Sequence, residues 1–351
     1  MPKLKKTILT LILILTFPLY SDSRTVLVTG GAGYIGSHAC KALHEAGFIP
    51  VTYDSLVLGE KEAVKWGPLV VGDLLDAAKL DQLFQKYKPF AVLHFAGLRN
   101  VGESVKDPQS YYTNNVAGSI QLLNTAVKHQ VQYVIFSSSC TVYGESLLNS
   151  ISETSHKNPT NPYAMSKYVT EKMIADYARA YGFKYMLLRY FNAAGIELES
   201  GLSRSIHSMN FLIPRALDTI LHPEVPLQIF GTDYPTFDGT AIRDYIHVKD
   251  LALAHVLALN YLQAEEKSDE INLGTGKGHS VYNILESIEK ITGYKVPYQL
   301  NSRREGDVPS AVAEVKKAKE VLHFEPSFSD LHTIIQSEWT SLQRNYNSSK
   351  D

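Results

Sequence analysis

The stretch Thr29-Gly30-Gly31-Ala32-Gly33-Tyr34-Ile35-Gly36 directly follows the short apolar run Val26-Leu27-Val28. An apolar strand that passes through a glycine-rich turn into a helix is the arrangement that binds the pyrophosphate of a dinucleotide. Gly31 permits the tight turn, Gly33 lets backbone amides approach the phosphates, and Gly36 lets the helix pack closely on the strand. The stretch therefore predicts a nucleotide cofactor before anything indicates the reaction.

Acidic residues after the next two strands indicate which dinucleotide it is. Asp54 stands eighteen positions past Gly36, after a second apolar strand at residues 48–53. A carboxylate there accepts hydrogen bonds from the adenosine ribose hydroxyls and repels a 2′-phosphate, so we expect NAD and not NADP. Gly72-Asp73-Leu74 follows a third strand and is expected at the edge of the adenine pocket, although Gly-Asp is also a common turn.

The composition is that of an ordinary globular enzyme. The chain has 351 residues, of which 44% are hydrophobic and 20% charged, so it can bury one large core and a smaller one. A net charge of −2 gives no electrostatic footprint for nucleic acid. The two cysteines, Cys40 and Cys140, and the twelve histidines lack metal-ligand spacing, so we predict no metal.

The segment 1–23 fits this picture less well. Three lysines precede an apolar stretch at residues 8–20, which resembles the first two regions of a signal peptide. A small-residue cleavage site is not evident, the stretch is short for a membrane span, and the first cofactor strand begins almost at once. We expect a cytoplasmic catalytic body with an accessory N-terminal segment, with membrane association or export as the alternative.

Strands and helices alternate from residue 24 onward. Helical periodicity at residues 35–46, 77–87 and 115–129 separates apolar strands, including those at residues 90–95 and 133–138. This alternation predicts an α/β fold with a doubly wound parallel Rossmann sheet. From residue 192 the pattern loosens, so we expect a NAD-binding domain at 24–191 and a smaller α/β substrate-binding domain at 192–351, with chain crossings back to the sheet.

A serine, a tyrosine and a lysine carry the candidate chemistry. Ser139 lies where a buried strand ends, and Tyr163 and Lys167 are four residues apart on a helix that Pro162 can initiate. A free tyrosine, with a pKa of about 10, is a poor base at neutral pH, but a nearby ammonium and a cationic nicotinamide favour the phenolate. The serine hydroxyl can then orient the substrate oxygen and share its proton.

Together these features resemble the extended short-chain dehydrogenase/reductase family, and within it the UDP-hexose 4-epimerase branch. The resemblance runs from about residue 25 to the final helix. Further matching stretches are His94-Phe95-Ala96-Gly97-Leu98, Arg189-Tyr190-Phe191-Asn192, Arg243-Asp244-Tyr245-Ile246-His247-Val248 and Arg304-Glu305-Gly306-Asp307.

The resemblance implies a role for individual residues. Tyr163 would be the base, Lys167 would hold the nicotinamide ribose and lower the tyrosine pKa, and Ser139 would bind the sugar. The cofactor would be lined by Gly30, Gly33, Tyr34, Ile35, Gly36, Asp54, Ser55, Asp73, Leu74, Phe95, Ala96, Gly97, Arg99, Asn115, Tyr163, Lys167 and Tyr190. The substrate would be held by Ser139, Tyr163, Asn192, Leu212, Phe230, Arg243, Tyr245, Arg304, Asp307 and Ala311.

The activity implied by the resemblance is reversible epimerisation at C4 of a UDP-hexose, through a 4-keto sugar, with tightly bound NAD. Other nucleotide-sugar enzymes remain as alternatives. Relatives that remove water carry an Asp-Glu pair where this chain has Cys140 and Thr141, and decarboxylases of UDP-glucuronate carry a glutamate near that point. A non-catalytic nucleotide-sensing scaffold is a third alternative, although such proteins commonly lose the tyrosine-lysine pair.

Two further expectations follow from the resemblance. Ala311 stands four residues after Asp307, where a bulky tyrosine in the family excludes N-acetyl groups, so we expect UDP-GlcNAc and UDP-GalNAc to be accepted as well. The helices at residues 115–129 and 161–181 resemble the pair that forms a dimer interface in the family. We therefore expect a homodimer.

Overall fold

The computed structural model describes residues 24–145, 150–202, 211–304 and 306–348. The signal-like segment 1–23 predicted from the sequence lies outside the described residues. Among the helices that are described, none combines the length and the apolar character needed to cross a membrane.

The strands of the described chain belong to one large sheet and two small ones. In chain order they are β1 (Thr25–Thr29), β2 (Ile49–Asp54), β3 (Leu69–Val71), β4 (Ala91–His94), β5 (Tyr133–Ser139), β6 (Lys184–Tyr190), β7 (Asn192–Ala194), β8 (Leu227–Phe230), β9 (Ile242–His247), β10 (Asp269–Leu273), β11 (Gly278–Ser280), β12 (Tyr298–Asn301) and β13 (Ser310–Ala311).

Helices connect these strands. In chain order they are α1 (Tyr34–Glu45), α2 (Ala77–Tyr87), α3 (Val101–Lys106), α4 (Pro108–Tyr111), α5 (Gly118–Lys128), α6 (Pro162–Tyr181), α7 (Leu212–Leu221), α8 (Val248–Glu265), α9 (Val281–Thr292), α10 (Lys316–Leu322) and α11 (Leu331–Ser348). A π-helical segment, Tyr112–Ala117, runs directly into α5, so the helix predicted at residues 115–129 is not α-helical throughout.

The large sheet has seven parallel strands in the order β3-β2-β1-β4-β5-β6-β10. The chain moves outward from β1 to β3 and then returns to the other side of β1 with β4. Loops after β1 and β4 therefore diverge and leave a crevice at the carboxyl ends of the strands, which is where doubly wound sheets bind ligands. The predicted fold class is confirmed.

Alternation along the strands supplies a core on each face of this sheet. Val26 and Val28 of β1 face a cluster that includes Leu43 of α1 and Leu259 of α8. Leu27, between them, faces the opposite cluster, which α2, α5 and α6 cover. Burying a side chain of this size stabilises the fold by about 1.5–3 kcal/mol, so the two faces fix the strand register.

The smaller sheets lie in the C-terminal half of the chain. Strand β9 is the centre of one, because β7, β11 and β13 all pair with it. The other consists of the parallel strands β8 and β12. Helices α7, α9 and α11 pack against these elements around a third core, which includes Ile213, Ile284 and Ile335.

Strand β10 returns from the C-terminal half to the large sheet. It pairs with β6 from Asp269 opposite Met186 to Leu273 opposite Tyr190. Residues past 192 therefore complete the sheet that carries the predicted cofactor crevice.

Gly36 provides a test of how closely α1 must approach β1. A Cβ built on Gly36 would lie 2.2 Å from the carbonyl oxygen of Gly30, whereas one built on Gly102 of α3 would meet nothing closer than 3.7 Å. We expect Gly36→Ala to lower the free energy of unfolding by about 2 kcal/mol or more, since backbone must move. Gly102→Ala should be neutral or slightly stabilising. Urea unfolding of both variants measures this, and equal midpoints would contradict it.

Candidate active site

The glycine-rich turn forms a cradle at the start of α1. Gly30 has a φ of +72°, and a Cβ there would lie 2.6 Å from the backbone nitrogen of Ala96. Gly33 differs, because its Cβ would meet nothing closer than the Gly30 carbonyl oxygen at 3.2 Å. It is also the N-cap residue of α1 and gives that helix no side-chain cap. The open side of Gly33 thus suits phosphate groups, which the first-turn amides can bind.

Asp54 closes the far side of this cradle. Its Oδ2 accepts from the Ala32 backbone N–H at 3.0 Å and its Oδ1 from that of Leu56 at 2.9 Å. Burial raises the pKa of Asp54, and the two backbone donors counteract that shift. A carboxylate has about four acceptor positions, so capacity remains for ribose hydroxyls. These residues fit the adenosine half of NAD.

The neighbouring predicted cofactor residues differ in exposure. Ser55 and Asp73 are exposed, whereas Leu74 is buried. The Asp73 side chain accepts from the Leu75 backbone N–H at 2.9 Å, and its carbonyl oxygen accepts from the Tyr53 hydroxyl. Asp73 is therefore fixed by the turn after β3.

The loop after β4 is held by Asn115 of the π-helical segment. The Asn115 amide accepts from Leu98 N–H at 2.8 Å and donates to the Leu98 carbonyl oxygen at 2.9 Å. It also donates to Ser166 Oγ of α6 at 2.9 Å. A Cβ on Gly97 would lie 3.0 Å from the Asn115 amide oxygen. Asn115 thus links the crevice loop to the helix that carries Tyr163.

Ser139, Tyr163 and Lys167 are brought together at the end of β5. Asn161 caps α6 by accepting from the Ala164 N–H, which sets the first turn that carries Tyr163. The Ser139 hydroxyl lies close enough to the phenol of Tyr163 to lower its pKa. Lys167 Nζ donates to the Ser137 carbonyl oxygen at 2.8 Å. The three predicted catalytic side chains share one edge of the sheet.

Charge at this edge differs from the sequence prediction. Burial raises the pKa of Tyr163, with Ser139 and Arg99 acting in the opposite direction. Burial lowers the pKa of Lys167 to about 8. The predicted lowering of the tyrosine pKa by the lysine is therefore not seen in the protein alone, because desolvation disfavours the charged form of both groups.

Tyr190 is buried beside these residues. Its hydroxyl pairs with His255 Nε2, and His255 Nδ1 lies 2.7 Å from the Leu251 carbonyl oxygen. That carbonyl requires a proton on Nδ1, so Tyr190 is the donor to Nε2. The His255 ring also packs 4.7 Å from the ring of Phe95. His255 was not predicted from the sequence, since its partners, Tyr190 of β6 and Phe95 just after β4, are remote in the chain.

The predicted nucleotide-binding residues gather around β9 and the segment before β13. Arg243 Nη2 lies 3.9 Å from Asp307 Oδ1, and the Arg304 guanidinium lies 4.3 Å from the centre of the Phe230 ring. The other members are placed by the elements around them. Asn192 is the register partner of Tyr245, Ala311 is the register partner of Arg243, and Leu212 begins α7.

Arg99 and Ala311 have surroundings that the sequence did not indicate. The Arg99 guanidinium lies over the ring of Phe211, 5.0 Å from its centre. Ala311 is 6% exposed and packs in a small cluster with Phe191 and Val142. Because register partners in parallel strands point to the same face, Ala311 lies on the Arg243 side of its sheet.

Asp244 of β9 is a further site residue, which was not predicted from the sequence. It is fully buried, and its carboxylate accepts from Thr275 N–H and Oγ1, from Gly276 N–H and from Ala313 N–H. It thus ties β9 to the loop after β10 and to the chain after β13. A buried acid next to a predicted arginine was the available signal, but its partners are remote in sequence.

Comparison with known proteins identifies the family of this chain. The sequence profile of the NAD dependent epimerase/dehydratase family matches residues 26–274. The chain belongs to the NAD dependent epimerase/dehydratase family.

Within residues 24–145, 150–202, 211–304 and 306–348, no group of three His, Cys, Asp or Glu side chains is arranged to hold a metal ion.

Relatives in this family match nearly the whole chain. A UDP-glucose 4-epimerase of Rhizobium leguminosarum bv. trifolii is 45% identical over 315 residues, which is 90% of this chain and 96% of the relative. The crystal structure of a Brucella ovis UDP-glucose 4-epimerase in complex with NAD is 47% identical, with a TM-score of 0.86, 90% of this chain covered and 97% of that one.

A second solved structure extends the likeness to a nucleotide complex. The UDP-glucose 4-epimerase from Bifidobacterium longum, in complex with NAD+ and UDP, is 34% identical with a TM-score of 0.87. The match covers 92% of this chain and 99% of that one.

Proposed function

We propose that this chain catalyses the reversible epimerisation of UDP-hexoses at C4, with bound NAD. The observation that carries the proposal is the convergence of Ser139, Tyr163 and Lys167 at the carboxyl edge of the sheet, beside a glycine cradle that suits a dinucleotide. Relatives with 45–47% identity over nine-tenths of the chain are UDP-glucose 4-epimerases, which supports the same reaction class.

The glycine cradle and Asp54 fit the pyrophosphate and the adenosine ribose of NAD, and we propose that the cofactor extends from there along the crevice to Lys167. In the proposal, the cradle from Gly30 to Gly36 holds the pyrophosphate, Asp54 holds the adenosine ribose, and Lys167 holds the nicotinamide ribose. When bound, NAD would supply the hydride acceptor and donor for C4, so the sugar would pass through a 4-keto form with no net redox change. Phe95, Ala96, Gly97, Arg99, Asn115 and Tyr190 complete the proposed pocket.

Tyr163 and Ser139 handle the proton in this proposal. The phenol is neutral in the protein alone because burial raises its pKa. The charge of a bound cationic nicotinamide and the Lys167 ammonium would favour the phenolate, which would then remove the proton of the 4-hydroxyl. Ser139 hydrogen-bonds the same sugar oxygen and orients it. The protein thus couples tyrosine ionisation to occupancy of the crevice.

The UDP portion acts as the fixed end of the substrate. Arg243 and Arg304 carry the charge that a pyrophosphate requires, and arginine pairs with two phosphate oxygens at once. Asp307 accepts from ribose hydroxyls, and Phe230 packs beside the nucleotide. Binding energy from this remote end keeps the reactive ketone in the site while the hexose turns. Asn192, Leu212 and Tyr245 are proposed as further contacts.

Alternative nucleotide-sugar chemistry lacks suitable groups beside Ser139. Burial raises the pKa of the Cys140 thiol to about 12, and Thr141 donates its hydroxyl to Ser139 Oγ at 3.0 Å. Neither residue supplies the acid and base that elimination of water needs. The tyrosine and the lysine also remain in place, which favours catalysis over a nucleotide-sensing scaffold.

Turnover without added cofactor tests the proposal. We expect protein purified from residue 24 onward, with no NAD supplied, to convert UDP-galactose to UDP-glucose without lasting absorbance from reduced nicotinamide. Tyr163→Phe should lower kcat by about 10²–10⁴-fold and leave the Kd for UDP nearly unchanged, because the proton acceptor is lost and the nucleotide contacts are kept. Loss of water or carbon dioxide from the substrate would overturn the assignment.

We further propose that the site accepts N-acetylated sugars. Ala311 presents a single methyl group on the same sheet face as Arg243, next to Cys140 and Phe191 in the small cluster. A small residue there leaves space beside the hexose for the acetamido group of UDP-GlcNAc and UDP-GalNAc.

Enlarging this position separates the two substrate classes. Ala311→Tyr should lower kcat/KM for UDP-GalNAc by about 100-fold or more and change that for UDP-galactose by less than about fivefold, since only the acetyl group needs the space. Ala313→Ser, a buried change two residues away, serves as the control for general disturbance. Equal losses on both substrates would contradict the proposal that the size of residue 311 controls acceptance of the acetamido group.

We propose a homodimer formed by α5 and α6. The two helices are linked through the Tyr177 hydroxyl, which donates to Asn124 Oδ1 at 2.9 Å. Ile120 is 37% exposed and Tyr181 is 60% exposed on these helices, so apolar surface remains for a second copy.

The mass of the enzyme in solution tests this interface. Light scattering should give twice the 39.1 kDa of the full chain, and Ile120→Glu should give a monomer because a charge would be buried at the contact. Val225→Glu changes an apolar residue elsewhere that is 50% exposed, and it should leave the dimer intact. A monomeric parent protein would refute the interface.

We propose that residues 24–191 form an NAD-binding part and residues 192–351 a UDP-sugar-binding part. Strand β10 of the second part joins the large sheet of the first.

We also propose a cytoplasmic location for the catalytic body, because NAD and nucleotide sugars are substrates of that compartment.

A further inference from the structure

The side of α6 that carries Tyr163 and Lys167 has a third polar residue, Glu171, one turn further along the helix. Positions 163, 167 and 171 are four residues apart, so they project on one side of the helix. Each contacts one of three consecutive residues at the end of β5. The pairs are Tyr163 with Ser139, Lys167 with the Ser137 carbonyl oxygen, and Glu171 with Ser138 Oγ, which donates to its Oε1 at 2.5 Å.

Arg189 holds Glu171 from the next strand. It is the register partner of Ser138, and its Nε and Nη2 donate to the two carboxylate oxygens of Glu171 at 2.8 and 2.7 Å. The Arg189 and Glu171 side chains are 1% and 3% exposed. A two-point contact of this kind fixes both distance and angle between the elements that carry it.

Further partners satisfy the rest of the Arg189 guanidinium. Its Nη2 donates to Glu270 Oε2 of β10 at 2.6 Å, and its Nη1 donates to the Tyr143 hydroxyl at 2.9 Å. That hydroxyl in turn donates to Asn272 Oδ1 at 2.7 Å. The network therefore joins α6, β5, β6, β10 and the turn that follows Ser139.

Stability alone does not account for an ion pair at this depth. Removing two charges from water costs about as much as their attraction returns, and apolar side chains of similar volume often serve equally well. Geometry is what the pair provides beyond apolar packing, since a charged two-point contact admits one arrangement of α6 on β6. The Ser138 hydroxyl, which also donates to Glu171, extends this constraint to β5.

We propose that Glu171 and Arg189 are positioning residues for the reaction. Together with the Ser138 hydroxyl, the pair sets the position of α6 against β5 and β6, so that Tyr163 faces Ser139 and Lys167 reaches the Ser137 carbonyl oxygen. Glu171, which carries the carboxylate of the pair, also lies one helical turn from Lys167. This role rests on the proposed epimerisation, in which those three side chains act.

The charges around Lys167 give the proposal a pH signature. Glu171 raises the pKa of Lys167 against the larger effect of burial. Two further titratable groups lie near Lys167. His94 of β4 has its pKa lowered to about 3, so it is neutral in the working range. Tyr163, one turn earlier on α6, has its pKa raised by burial, so its phenol is neutral in the protein alone. Phe136 of β5 presents its ring to the ammonium at 4.8 Å. Removing the Glu171 charge should therefore let Lys167 deprotonate at lower pH.

Glu171→Gln tests the positioning role while keeping the side-chain shape. We expect kcat for UDP-galactose to fall by about 10- to 100-fold, as for a small misplacement of reacting groups, with KM and the Kd for UDP within about twofold of the parent. The alkaline limb of the pH profile of kcat should move to lower pH. Normal kcat and an unmoved alkaline limb in this variant would overturn the proposal.

Glu197→Gln is the matched control. Glu197 is also a buried, ion-paired carboxylate, with Lys41 at 2.9 Å and Lys249 at 3.2 Å, but it lies outside the proposed machinery. It should lower thermal stability without moving the pH profile. The same loss of kcat and the same pH profile in both carboxylate variants would show a structural role and reject positioning.

Two measurements keep the outcome decisive. If Glu171→Gln does not fold, the double variant Glu171→Met with Arg189→Met replaces both charges by apolar groups of similar length, and a folded double variant with parental kcat would reject the proposal. The parent enzyme is assayed first. Its failure to epimerise UDP-galactose would count against the proposed function, whereas normal parental turnover with unaffected variants would count against the positioning role alone.

Discussion

The contact between the end of β1 and the first turn of α1 is the constraint on which the rest of the site depends. Gly36 lies against the Gly30 carbonyl oxygen, and Gly30 lies against the backbone of Ala96 after β4. Side chains at these positions would push the helix and both loops apart. Because they are absent, the first turn of α1 and the loop after β4 can both approach the end of β1, at the sheet edge where the candidate catalytic groups also lie.

Burial then determines how the chemical groups behave. The pKa of Tyr163 is raised and that of Lys167 is lowered, while His94 and His255 are held neutral with pKa values lowered to about 3 and 4. Low polarity disfavours isolated charge at this edge of the sheet. A charged cofactor or substrate that enters it changes the balance strongly, because interactions between charges are poorly screened there. In the protein alone, the side chains of Tyr163, His94 and His255 are therefore neutral.

Local sequence spacing predicted much of this arrangement. The glycine pattern, the carboxylate after β2, and the tyrosine and lysine one turn apart are features of short segments, and the doubly wound sheet followed from regular alternation. Pairings between distant segments were not accessible in the same way. Glu171 with Arg189, Tyr190 with His255, and Asp244 with the chain around Ala313 join residues 18 to 69 positions apart. The raised pKa of Tyr163 was missed for the same reason, since desolvation depends on the whole surrounding fold.

The return of β10 to the large sheet also affects how the chain folds. A chain ending before β10 would leave β6 as an exposed edge with unpaired backbone groups, which is a template for aggregation. When β10 is present, β6 gains its second neighbour only after some eighty further residues have been synthesised, and contacts of such long range form slowly. The large sheet and the C-terminal half are therefore coupled during biogenesis, and the early part of the chain depends on the later part for protection.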